Sequence, residues 1–449
     1  MRIKEIIING LFGMFNHVIP LNLDDHITIL TGPNGFGKTT ILKLISILFS
    51  HQSIKLYGLF NIDFKDLQII FENNTYLTIE KEDNHEKISF KYFEGLSNES
   101  LCKSSLDLYS EEIFDYAQLI ADRYPFIAPV RNQSKGGRLT FNTSTRSKSW
   151  LDNSKGAIIQ SEELLETYGE LLQDIAIADK PPEILAMLDK INVNFIETQR
   201  LFRLSPIDNS GTTKKQKIDV VEAYSEHLSE EIQKKLAEFG EESQKLDSTF
   251  PERLLDGDFR ILNQEEILRK LTELDERRQR LMKLGLLDSK EAVFKKEKID
   301  EKQIIALTLY ASDNFKKLSI FDTIADKIEI LRDIINKHFI YKKLSINKDK
   351  GFVFINDNNQ ILMPTDLSSG EQHQLIMLYE LLFRVAPNSV ILIDEPELSL
   401  HVAWQMQILD DLERIAGQMQ FDIIVATHSP QIINDRWDLT VELKGKPYG

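Results

Sequence analysis

Cysteine is almost absent. Cys102 is the only one in 449 residues, which excludes an intramolecular disulfide and a cysteine-based metal site. Long apolar runs are missing too: none approaches the roughly 20 residues that a membrane-spanning helix needs. The N-terminus, MRIKEIIING, has no apolar core followed by a small-residue cleavage site, so it reads as a first strand and not as a signal peptide. Basic residues are the minority, 54 against 70 acidic, and the net charge of −16 speaks against a chain that coats nucleic acid along its whole surface. No internal repeat stands out. What remains is an ordinary globular composition, 42% hydrophobic and 28% charged, long enough for two or three domains' worth of core. The cytoplasm is the expected compartment, with no membrane partner.

The order of elements is legible from periodicity. Ile27-Thr28-Ile29-Leu30 is a β-branched run, followed by a glycine-rich turn and then the helical pattern ILKLISILF. Strands are expected at Leu67–Phe71 and Tyr76–Glu80, joined by a turn at Asn73-Asn74. Residues 131–156, rich in Ser, Thr, Asn and Gly, read as a long loop. Between 213 and 300 the pattern changes: Val221, Tyr224, Leu228, Ile232, Leu236 and Phe239 recur at helical spacing, as do Ile267, Leu271, Leu274, Leu281 and Leu284. Pro251 falls between the two runs and is expected to end the first helix. A helical hairpin or short antiparallel coiled coil fits these runs, and so do amphipathic helices packed on a core. From residue 351 strands return at GFVFI and ILM, then Val390–Ile393 and Ile423–Ala426, with helices between them. That alternation predicts a parallel α/β sheet.

Chemistry is carried by a few short motifs. Gly32-Pro33-Asn34-Gly35-Phe36-Gly37-Lys38-Thr39 satisfies G-x-x-x-x-G-K-[ST] between a strand and a helix. Its glycines permit a turn whose backbone N–H groups wrap phosphates, and the helix N-terminus adds positive potential. Asn34, Gly35, Gly37, Lys38, Thr39 and Thr40 are therefore expected at ATP, with Lys38 on the β- and γ-phosphates and Thr39 on Mg2+. Val390-Ile391-Leu392-Ile393-Asp394-Glu395 is a buried strand ending in two carboxylates. Asp394 is placed to hold the Mg2+ shell and Glu395 to orient or deprotonate a water. Leu367-Ser368-Ser369-Gly370-Glu371-Gln372 precedes a helix. Its N-terminus can meet a γ-phosphate, and a capping box of Ser368 with Glu371 would use the same helix end.

At this last motif the sequence resembles the ABC ATPase superfamily, whose signature it matches except that Ser369 replaces the usual second position of LSGGQ. Thr427-His428-Ser429-Pro430 after the last buried strand resembles the SMC-like branch, and the resemblance assigns His428 to the γ-phosphate. It likewise assigns Gln199, with Gln133 as a rival, to the Q-loop that senses Mg2+ and the attacking water. His401 stands where many relatives carry the D-loop aspartate. The fold implied is α/β, an ABC-type P-loop ATPase head with a mixed sheet flanked by helices and an inserted helical hairpin or short coiled coil. Its implied division is an N-terminal lobe at 1–205, a helical insertion at 206–300 and a C-terminal lobe at 301–449.

The resemblance also implies that the site is finished by a second copy. One protomer's signature would close over the ATP held by its partner's Lys38 loop, so a head-to-tail dimer is the smallest expected homo-oligomer. The long stretch between Lys38 and Gln199, and the helical insertion before Ser368, differ from transporter ATPases and resemble the OLD-type branch. With only residues 429–449 after His428, the TOPRIM nuclease domain of the OLD nucleases is not expected in this chain. The expectation is a stand-alone ATPase subunit of a two-gene anti-phage system, PARIS with Septu second, which restrains a TOPRIM or HNH nuclease until a phage-encoded trigger is sensed. Slow or regulated turnover goes with that role. The alternative is a DNA-repair or DNA-maintenance ATPase. In that case Arg131, Lys135, Arg138, Arg146, Lys148 and Lys155, with Phe141 and Trp150 among them, would contact DNA; a solvated loop is the plainer reading of the same residues.

Overall fold

The computed structural model describes residues 1–50, 53–82, 87–95, 100–107, 111–123, 126–130, 149–153, 156–168, 188–196, 202–204, 217–257, 259–288, 300–400, 402–444 and 446–447. Contacts divide the chain into two units, residues 1–198 with 385–449 and residues 199–384.

In the first unit, Ile6 and Ile8 are buried and Ile7 between them only half so, the two-residue period of a strand. This is β1 (Ile3–Leu11), and β2 (Phe15–Pro20) returns beside it antiparallel. β3 (Ile27–Thr31) belongs to a different sheet and leads into α1 (Lys38–Leu48). β4 (Asp66–Phe71), β5 (Thr75–Lys81), β6 (Lys87–Glu94) and β7 (Cys102–Asp107) extend the antiparallel sheet from β1. The β4–β5 turn falls where Asn73-Asn74 places it, with Asn74 at φ 62°, a left-handed conformation that Asn tolerates.

α2 (Glu111–Arg123), β8 (Ile127–Pro129), β9 (Ser149–Asp152), β10 (Ala157–Gln160) and α3 (Ser161–Tyr168) build a small side layer. Here the expectation of an unbroken loop over 131–156 is corrected, because Ser149–Asp152 pairs with strands on both sides. Trp150 anchors it: the ring is 1% exposed, and Nε1 donates to Ser161 Oγ at 3.0 Å. It is therefore a core residue and not an exposed platform for a nucleic-acid base. Arg131, Lys135, Arg138, Phe141, Arg146, Lys148 and Lys155 lie outside the described residues.

β11 (Val193–Ile196) completes the first pass through this unit. The chain then enters the second unit through the paired strands β12 (Phe202–Leu204) and β13 (Lys217–Asp219). α4 (Val220–Asp256) starts with the Asp219 carboxylate accepting from Val221 N and ends at Gly257 in the left-handed region. Pro251 does not end it, contrary to the sequence expectation. Side chains around the proline serve the neighbouring carbonyls: Thr249 Oγ1 donates to Lys245 O, and Arg253 Nη2 to Leu246 O at 2.8 Å. Arg253 is in turn clamped to Asp313 by two bonds of 2.7 Å.

α5 (Gln264–Lys283) opens with a capping box of Asn263 and Glu266, and α6 (Glu301–Ser319) and α7 (Asp322–His338) follow. The two periodic runs are thus α4 and α5. Each packs on α6, so the arrangement is broader than a two-helix hairpin. Ile267 and Leu271 of α5 bury against Ala311 of α6. β14 (Lys342–Asn347), β15 (Gly351–Asn356) and β16 (Ile361–Leu362) form a small antiparallel sheet before α8 (Ser369–Tyr379). Gly351 is required where β15 meets α4, since a Cβ there would lie 1.9 Å from Ser225 O.

The chain re-enters the first unit with β17 (Val390–Asp394), then α9 (Ile408–Met419), β18 (Asp422–Ala426), β19 (Thr440–Glu442) and β20 (Lys446–Pro447). Every residue of β17 and β18 is buried, as the central strands of a parallel sheet covered on both faces must be. The sheet order is β11-β17-β18-β3-β19, with all pairs parallel. Leu44 and Ile45 of α1 share one core with Leu392 and Ile424 of this sheet and Ile6 and Ile69 of the antiparallel one. The α/β fold expected from the sequence is the fold observed. Among the described residues no helix is long and apolar enough to cross a membrane.

Candidate functional site

Parallel register puts three strand ends level. Asp394 stands opposite Ala426, and Ala426 opposite Leu30, so the segments leaving β17, β18 and β3 emerge side by side at the C-terminal edge. From β3 the chain turns through Gly32, Gly35 and Gly37, each with positive φ, before α1 begins at Lys38. At Gly37 the positive φ of 89° would strain any side chain, and a Cβ would lie 2.5 Å from Leu11 Cδ2, which would have to move. Phe36 stacks on Phe15 with centroids 4.8 Å apart, and its carbonyl lies 3.1 Å from His17 Nε2. Asn34 and Gly35 are exposed at the tip of the turn, while Thr40 is half-buried on α1.

Lys38 curls back under this turn. Its ammonium donates to Gly32 O at 2.8 Å and Pro33 O at 3.3 Å, and lies 3.2 Å from His428 Nδ1. Burial lowers its pKa, while the nearby carboxylates of Glu395, Asp394 and Glu397 work in the other direction. One residue on, Thr39 Oγ1 donates to Asp394 Oδ1 at 3.0 Å. Burial raises the Asp394 pKa, and the Thr39 hydrogen bond and Lys43 pull against it. A hydroxyl and a carboxylate at this separation are hard oxygen donors. They suit Mg2+, which takes one or two carboxylates and leaves its other positions to phosphate and water. The residues present therefore fit a Mg2+–nucleotide.

Glu395 occupies the left-handed region, φ 42° and ψ 59°, which is uncommon for a residue with a side chain. Its backbone N–H donates to Ala426 O at 2.8 Å and Pro396 follows it, which together hold the turn. The carboxylate lies 4.0 Å from His428 Nε2. Lys38, Thr39, Asp394, Glu395 and His428 are thus brought together by three strand ends.

A further residue at this edge escaped the sequence reading. Glu397 Oε1 accepts from Thr427 Oγ1 at 2.7 Å and from the His428 backbone N–H at 3.0 Å. The signal was in plain view, since Asp394-Glu395-Pro396-Glu397 carries a third carboxylate just past a proline that fixes a turn.

The second unit carries the other motif by itself. Ser368 is the N-cap of α8 in a capping box with Glu371. Glu371 accepts from Ser368 N and Ser368 Oγ, both at 2.8 Å, and from Lys342 Nζ at 2.7 and 2.9 Å. Burial works to raise the Glu371 pKa, but the Lys342 and Ser368 donors outweigh it and the carboxyl sits below its ordinary value. Glu371 therefore acts on the helix end, and Ser368 and Ser369 are exposed there with Gly370 half-buried behind them. Gln199, Gln133 and His401 lie outside the described residues.

A family model described as AAA ATPase domain matches residues 1–433. The Retron Ec83 probable ATPase of Escherichia coli is 34% identical over 103 residues, 20% of this chain and 19% of that protein. The Smc head domain of Pyrococcus furiosus, solved with an extended coiled coil and bound to the C-terminal domain of ScpA, aligns at 13% identity and a TM-score of 0.34. That alignment covers 99% of this chain and 94% of that one. The SMC head domain from Thermotoga maritima aligns at 10% identity and a TM-score of 0.33, over 98% and 94% of the two chains. Likeness of that extent says nothing of what this chain binds.

Proposed function

The chain belongs to the AAA ATPase domain family, and from that premise we propose that it hydrolyses ATP at the C-terminal edge of the parallel sheet. The observation that carries the reading is the convergence there of the Lys38 ammonium, the Thr39–Asp394 pair and the Glu395–His428 pair. Lys38 binds the β- and γ-phosphates. Mg2+, held by Thr39 and Asp394 with Gln199 as a further donor, would neutralise phosphate charge. Glu395 orients and deprotonates the attacking water, and its fixed backbone keeps the carboxylate aimed at that edge. His428 donates to the γ-phosphate.

We propose further that a second copy completes the site, with the exposed N-terminus of its α8 at Ser368, Ser369 and Gly370 meeting the γ-phosphate. Turnover is then slow or regulated, because it waits on assembly. Size-exclusion chromatography of Glu395→Gln with and without ATP tests this. ATP should convert the variant to a dimer or larger, and the substitution should abolish phosphate release. A monomer in both states would remove the second copy from the reading, and undiminished turnover would remove Glu395.

The role we assign to this ATPase is the scaffold and sensor of a two-component anti-phage system, controlling a separate nuclease. Its support is the motif order read above and the short match to a retron ATPase. Co-expression with the neighbouring reading frames should yield a co-purifying TOPRIM or HNH nuclease. A chain that protects cells from phage with no second component would overturn it.

A further inference from the structure

We infer that Glu397 is the positioning residue of the site: it sets the place of His428, and Gln405 ties both to the segment that follows Glu395. The inference rests on the reading of His428 as a phosphate-contacting group.

His428 lies just past the end of β18, where the ladder's own hydrogen bonds stop, so its backbone needs other partners. Thr427 N still donates to Leu30 O at 3.2 Å. Beyond that, the Glu397 carboxylate takes over, with Oε1 accepting from both Thr427 Oγ1 and His428 N. Such bonds to an ionised acceptor are roughly twice as strong as neutral ones. The other oxygen, Oε2, is buried and accepts no hydrogen bond among the described residues. Among the described residues, the carboxylate's hydrogen bonds thus go to the histidine segment.

A second tie runs from the other side. Ser429 Oγ lies 3.2 Å from Gln405 Oε1, and Gln405 Nε2 donates to Glu397 O at 3.3 Å and Leu400 O at 3.2 Å. Glu397, Leu400 and Gln405 are therefore hydrogen-bonded into one unit with Thr427, His428 and Ser429, and the imidazole projects from it. That imidazole lies 3.2 Å from Lys38 Nζ and 4.0 Å from Glu395 Oε1. A shift of the 397–400 turn is passed to the histidine through Glu397 and Gln405, which gives the edge beside Glu395 a lever on the γ-phosphate contact.

The test is steady-state ATP hydrolysis by the full chain, with thermal melting as a fold control. Glu397→Ala should lower kcat about tenfold to a hundredfold and change KM for ATP less than threefold, whereas Glu397→Gln, which keeps an acceptor oxygen, should recover most of the rate. In a His428→Ala background Glu397→Ala should cost nothing more, because the residue acts through the histidine. Equal losses in both backgrounds, or a Gln variant as slow as the Ala variant, overturn the inference while leaving the ATPase reading intact. A His428→Ala variant at the full wild-type rate overturns the role of the histidine and this inference with it.

Discussion

The Thr39–Asp394 pair offers a test in which stability and function move apart. Asp394 is 8% exposed and its carboxyl pKa is raised by burial, so ionising it at neutral pH works against the fold. Asp394→Asn removes that charge and keeps an oxygen for the Thr39 hydroxyl. The expected gain without nucleotide is about 1 kcal/mol, or about 2–4 °C in melting temperature for a unit of this size. Thr39→Val removes the donor at nearly constant shape and should cost about 1 kcal/mol. Both variants weaken the proposed Mg2+ site, Asp394→Asn by losing the carboxylate charge and Thr39→Val by losing the hydroxyl. With Mg2+ and ATP at about 100 times Kd, ligand linkage is worth about 2.7 kcal/mol, so the wild type should melt about 5–10 °C higher. Neither variant should show the part of that rise that EDTA abolishes. The pH sign follows from the raised pKa: the wild-type carboxyl is tolerated when protonated and loses that contribution as pH rises through its folded value. The advantage of Asp394→Asn is therefore full at neutral pH and shrinks in acid. Scanning calorimetry with ATP, with and without Mg2+, reads all of this. An Asp394→Asn variant that melts below the wild type, or that keeps the Mg2+-dependent rise, would refute the reasoning.

Two stability predictions follow from other parts of the chain. Arg253→Met should cost about 3 kcal/mol in urea denaturation, because it strands Asp313 at 5% exposure, and adding Asp313→Leu should restore most of the loss. A single-variant cost under about 1 kcal/mol would contradict the clamp. Burial pushes the Lys81 ammonium down to about 8, where it donates to Phe60 O and Ile62 O and lies over the Phe64 ring. From that pH up to about 10.4 the unfolded chain holds a proton that the folded chain has released, so this group's contribution to stability rises with pH. Wild type should gain on Lys81→Met by about 1 kcal/mol between pH 7 and pH 10, after allowance for solvent screening. A difference that stays flat with pH would argue against the buried ammonium.

Much of the site was legible because its chemistry is local in sequence. The turn at Gly32–Thr39 and the carboxylates after Val390–Ile393 are contiguous strings whose backbone geometry the residues dictate. Parallel alternation placed their strands in one sheet, and β3, β17 and β18 lie there. What the string hid were contacts between distant residues. Glu397 reads as one more acid after a proline until β18 brings Thr427 and His428 to it. Trp150 reads as an aromatic among cations until the Ser161 hydroxyl and the surrounding core take it in. Pro251 failed as a stop signal for a related reason. Propensity counts the missing donor, but not a tertiary contact such as the Arg253–Asp313 clamp that holds the helix beyond it.

The unbroken α4 has a mechanical consequence. At 37 residues it is a rod about 55 Å long, stiff along its length because each turn is hydrogen-bonded to the next. Its first turns are seated on β15 through Ser225, whose hydroxyl accepts from Phe352 N and donates to Lys350 O, both at 2.8 Å. A tilt of about 10° about that seat would carry the far end about 8 Å. Small rearrangements at the seated end thus become displacements large enough to make or break a contact at the other.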